Sequence, residues 1–136
     1  MSAFKEGQVV YTLLIPGKSF TTNYLSFDFN DDIKILKGIV RNHETISNAD
    51  PEQREVYGIE DENGNGHMQY ECNIFGSLQE LKAYVEKSIL GVMRELNKAC
   101  IRYKKDLDCA TKHFRQWKGL LDAWYETCYK EENHEH

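Results

Sequence analysis

Two hydrophobic rhythms divide the chain near Gly76, a period of about two before it and steps of three or four after it. Val9-Val-Tyr-Thr-Leu-Leu-Ile15 is a β-branched and aromatic run stopped by Pro16-Gly17, so it reads as a first strand. Residues 18–32 alternate polar and aromatic positions, with Tyr24, Phe27 and Phe29, and read as a long loop holding an irregular strand. Ile33 to Arg41 reads as a second strand, with Gly38 placed to allow a bulge or sharp bend. Residues 42–53 form an excursion in which Asp50-Pro51-Glu52 suits the first turn of a very short helix. Arg54–Glu60 and His67–Phe75 then flank Asp61-Glu-Asn-Gly-Asn-Gly66, which is the strand, glycine-rich turn and strand of a hairpin.

After Gly76, Ser77-Leu-Gln-Glu80 has the spacing of a capping box and opens a helix. Apolar positions follow at Leu78, Leu81, Val85, Ile89, Val92, Leu96, Ala99, Tyr103, Leu107, Ala110, Phe114, Trp117, Leu121, Trp124 and Cys128. The predicted oligomer seam is Val92, Leu96, Tyr103, Leu107, Phe114, Trp117, Leu121 and Trp124. A single helix to about Lys130 would be roughly 80 Å long. So long a seam has to pack on a second copy, on its own folded-back half or on a partner helix. Lys104-Lys105 followed by Asp106 and Asp108 suits a helix end and a new N-cap, which would allow a hairpin. The register runs on through Tyr103 and Leu107, which favours one continuous, coiled-coil-like helix. Opposite the seam, Lys87, Arg94, Lys98, Arg102, Lys105 and Lys112 share one side and form a candidate phosphate-contacting stripe.

The expected fold class is therefore α+β. A small, antiparallel, strongly curled sheet or barrel (1–76) precedes a long amphipathic helix or helical hairpin (77–130) and a disordered tail (131–136). A chain of 136 residues has room for one such head and its helical extension. The net charge of −5 is uneven: residues 1–76 carry 6 Lys/Arg against 12 Asp/Glu, residues 77–136 carry 11 against 10. That acidity sets the head against nucleic acid and would suit a basic cleft on a nucleic-acid-handling protein.

The chemistry-bearing residues do not converge. Asp61 to Gly66 matches the first half of a calcium loop, but its twelfth position is Cys72 and its flanks are strand-like. Cys72, Cys100, Cys109 and Cys128 form no C-x-x-C pair and read as free thiols, buried or half-buried. His134 and His136, with His113 and Cys128, have no zinc-site spacing; His43 and His67 have no adjacent nucleophile pattern. No catalytic residue, cofactor or metal site is expected. Without a long apolar run or a signal-peptide order at Met1, the expected compartment is the cytoplasm.

Phe4-x-x-Gly7-x-x-Val10-Tyr11, Ile35-x-x-Gly38-x-Val40, Tyr57-Gly58-Ile59 and Phe75-Gly-Ser77-Leu-x-Glu-Leu81 resemble the small Src-homology-3-like barrels of short phage and bacterial accessory proteins, over about residues 4–85. The excursions at 17–32 and 42–53 depart from that pattern. The resemblance implies a binding module, in a bacterial host if phage-derived, and carries over no catalytic residue. The expected function is a non-enzymatic interaction or assembly module that self-associates through its seam, as a dimer, and binds a protein partner. The alternatives are a nucleic-acid-associated protein using the basic stripe and an acidic inhibitor of a host nucleic-acid-handling protein.

Overall fold

The structure, a computed structural model, describes residues 3–14, 33–102 and 107–135, excluding the side chains of 134 and 135. The element order is β1 (Val9–Leu14), β2 (Lys34–Thr45), a 3-10 turn (Pro51–Gln53), β3 (Glu55–Asp61), β4 (Gly66–Tyr70), a second 3-10 turn (Glu71–Asn73), α1 (Leu78–Arg102) and α2 (Leu107–Glu135). The described residues fall into two compact units, one ending at Leu81 and one running from Lys82 through both helices. The irregular strand expected within 18–32, with Tyr24, Phe27 and Phe29, lies outside the described residues.

The first unit is an antiparallel meander in the order β1-β2-β3-β4. It is neither closed nor strongly curled, which corrects the barrel expectation. One isolated bridge approaches closure: Tyr11 and Phe75 exchange two backbone hydrogen bonds of 2.8 Å at the side of β1 away from β2. The strand expected from His67 to Phe75 therefore stops at Tyr70, turns through Glu71–Asn73 and resumes only as this bridge. Asn73 anchors the turn, its carbonyl accepting from the buried Thr12 hydroxyl at 2.7 Å.

The second strand is longer than its hydrophobic run, because β2 continues to Thr45 across what the pattern gives as an excursion. Its bulge lies at Arg41 and not at Gly38: Val40 pairs with Ile59 while Asn42 pairs with Gly58. One inserted residue puts Val40 and His43 on the same face, so the His43 ring lies 4.7 Å from that of Tyr57. Gly38 answers a different need. A Cβ there would collide with Ile59 Cγ2 and stand 2.7 Å from the Glu60 carbonyl oxygen. Among the described residues one core cluster of this unit is Val10, Val40, Tyr57, Ile59 and Ile74, with Phe4 edge-on to Tyr57 at 5.5 Å.

The helical segment is two helices, not one, and this overturns the continuous-helix reading. Lys82, near the start of α1, is ion-paired with Glu132, near the end of α2. In a single straight helix those residues would stand roughly 75 Å apart. Nearer the turn, Cys100 Sγ and Thr111 Oγ1 are 3.9 Å apart. The pair is an antiparallel hairpin; the candidate break at Lys104 to Asp106 falls outside the described residues. Ser77 acts as expected at the start, its Oγ accepting from the Glu80 amide at 3.2 Å. α2 runs to Glu135, through residues that the pattern assigns to a tail.

Candidate interaction surfaces

The hairpin turn of the sheet consumes the residues that suggested a cation loop. Asp61 Oδ1 accepts from the amides of Asn63 and Asn65, each at 2.9 Å, and Asp61 Oδ2 meets His67 Nε2 at 2.8 Å. Gly64 supplies the positive φ of 84° that the turn requires. The His67 bond, followed by the Asn65 and Asn63 amides, holds the Asp61 carboxyl below its ordinary 3.8. A carboxylate engaged on both oxygens is a turn anchor, and among the described residues no group of three His, Cys, Asp or Glu side chains could hold a metal.

A second histidine–carboxylate pair joins His43 Nε2 to Glu55, which also accepts from Thr45 Oγ1 at 3.0 Å. His43, then Thr45, draws the Glu55 carboxyl below its ordinary 4.5. Behind it, the Tyr57 hydroxyl donates to Glu71 Oε1 at 2.7 Å and accepts from the Ala3 amide at 3.1 Å. Burial first, and then the Glu71 bond, raise the Tyr57 hydroxyl above its ordinary 10.0. These bonds tie β2, β3 and the N-terminal segment together. On the opposite face, a depression of about 260 Å³ lies over Gly58, lined by Arg41, Asn42, Glu60 and the exposed Met68. The Asn42 amide fills the space that a Cβ at Gly58 would need.

The predicted seam divides along the hairpin. Leu121 and Trp124 are buried, as are Val85, Ile89 and Ala110. Leu96, Phe114 and Trp117 are half-buried, Val92 and Leu107 are exposed, and Tyr103 lies outside the described residues. Of the eight residues of the proposed oligomer contact, two are therefore buried within one chain and three are half-buried. Leu120, adjacent to the seam but out of its register, is also buried, which helical spacing alone did not indicate. Cys128 is buried in the hairpin, and that burial pushes its thiol up to about 11. Cys109, against expectation, is exposed.

Folding back also divides the basic stripe. Lys87, Arg94, Lys98 and Arg102 stay together on the exposed side of α1, Lys112 moves to α2, and Lys105 lies outside the described residues. The four α1 cations span roughly 22 Å. Leu90 and Ile101 lie along one edge of that stripe, 37% and 77% exposed. Sequence reading passed over these two because they are off the seam; apolar residues interleaved with cations were the available signal. Positive charge is also concentrated in the middle of the helical part of the sequence. Residues 90–119 hold 8 Lys/Arg against 3 Asp/Glu, and the remaining 106 residues hold 9 against 19. No protein-family model, curated protein or solved structure matches the chain. No helix among the described residues is long and apolar enough to cross a membrane.

Proposed function

We propose that the chain is a non-enzymatic interaction module that holds an acidic protein surface on the exposed face of α1. The observation that carries this reading is the composition of that face: the exposed Leu90 and Ile101 lie along one side of the stripe formed by Lys87, Arg94, Lys98 and Arg102. Cations alone would suit any polyanion. Apolar side chains held in water beside them add area that a partner with its own apolar residues can bury. The test is affinity purification from cells of the source organism, followed by titration of the purified captured protein. Replacing Arg94, Lys98 and Arg102 by Glu should weaken that titration at least about tenfold, and Ile101→Ser should weaken it independently. Unchanged affinity in both variants would refute the assignment of the face.

The linear spacing of the four cations favours a second reading, in which α1 tracks a phosphate backbone. Anisotropy with labelled duplex DNA and single-stranded RNA separates the two. A polyanion gives binding that falls steeply with salt and does not respond to Ile101→Ser; an acidic protein partner gives a response to both.

A further inference from the structure

The other exposed helix face has a charge order with a symmetry of its own. Asp108, Lys112, Arg115, Gly119, Asp122, Glu126 and Lys130 are all exposed. They recur at steps of three or four along α2, so they lie within about a quarter turn of one another over roughly 33 Å. Read from either end the signs are opposite: acid, base, base, glycine, acid, acid, base. We propose that this face is the interface of an antiparallel homodimer, with its twofold axis at Gly119.

In that arrangement Lys112 meets Glu126 of the second copy, Arg115 meets Asp122, and Asp108 meets Lys130. Symmetry gives each contact twice. A parallel pairing in register sets like charge on like, so the pattern selects orientation as well as partner. Gly119 supplies an independent observation. It lies inside a helix, where glycine is less favourable than alanine, yet among the described residues a Cβ there would have no atom within 4 Å. Among the described residues nothing requires the missing side chain, whereas two helices crossing at that point would approach most closely there. Exposed ion pairs are individually weak, so the dimer is one that forms at tens of micromolar and loosens with salt. The interface leaves the α1 face free and uses a surface other than the seam.

Sedimentation equilibrium on the full chain tests this. The wild type should show a monomer–dimer equilibrium at about 25 mM salt, weakened at least about tenfold at about 500 mM. Lys112→Glu with Arg115→Glu should be monomeric, and so should Asp122→Lys with Glu126→Lys. An equimolar mixture of those two variants should form a heterodimer, and the chain carrying all four changes should dimerise again. Gly119→Leu should block association while the far-ultraviolet circular dichroism of a folded helix is retained. A wild type that stays monomeric at a few hundred micromolar in low salt would overturn the proposal. So would half-swapped variants that stay apart when mixed, or a wild-type monomer whose α2 face instead gives a salt-sensitive shift with RNA. Because the α2 changes read self-association and the α1 changes read partner binding, the two proposals fail separately.

Discussion

Two glycine-to-alanine substitutions should move stability in opposite directions, and the reason is visible in what a single methyl group would meet. At Gly38, at the close approach of β2 to β3, the new Cβ would overlap Ile59 Cγ2 and lie 2.7 Å from the Glu60 carbonyl oxygen. The Ile59 side chain is buried in the core, 2% exposed, and the carbonyl belongs to the neighbouring strand, so neither can swing away. Relief has to come from separating two paired strands beside the Arg41 bulge. Overpacking of this kind costs about 1–3 kcal/mol. The backbone contact places Gly38→Ala toward the upper end, about 3 kcal/mol, a fall of roughly 10 °C in the melting midpoint. At Gly91, inside α1, a Cβ meets nothing within 4 Å among the described residues. Gly91→Ala should therefore stabilise by up to about 1 kcal/mol through helix propensity alone. Urea denaturation followed by circular dichroism measures both. Gly38→Ala within about 0.5 kcal/mol of wild type, or Gly91→Ala less stable than wild type, would refute the steric account of these positions.

Trp124→Ala, at a residue 2% exposed in the hairpin, should cost about 3–5 kcal/mol by denaturant unfolding, while Tyr129→Ala on the exposed side of the same helix should change little. Toward a disulfide reagent at pH 8, Cys109 should react promptly and Cys128 only on unfolding, because burial both shields its sulfur and holds its thiol near about 11. Two carboxyls, Asp61 held below 3.8 and Glu55 held below 4.5, carry the acid sensitivity of the sheet. Their folded values are depressed, so their contribution is complete above the ordinary values and is lost as pH falls through the lowered ones. The melting midpoint should drop between about pH 5 and about pH 2, and Asp61→Asn with Glu55→Gln should flatten that limb.

What was legible in the sequence was local. The change of period at Gly76, the Asp61 to Gly66 turn, the short helix at Pro51 and the Ser77 cap each depend on side chains a few residues from the backbone groups that they order. So too the cations of α1 could be named from spacing, since one helix face is set by 100° per residue. Most of the candidate surface was readable in this way, apart from Leu90 and Ile101, which a search for seam residues discards.

The tertiary structure decided what covers what. An apolar seam with steps of three and four is satisfied equally by a second chain or by its own far half, and spacing says nothing about which. Within one chain the Lys82–Glu132 closure needs no second molecule, so part of the seam is spent internally and Lys112 is parted from Arg102. The Arg41 bulge, the Phe75 bridge to Tyr11 and the burial of Leu120 have the same character. Each is settled by a residue far away in the chain, which neither periodicity nor turn chemistry can register. The sequence by itself determined a sheet followed by amphipathic helix; only the packing determined that the helix folds back, and hence which of its faces are left for a partner.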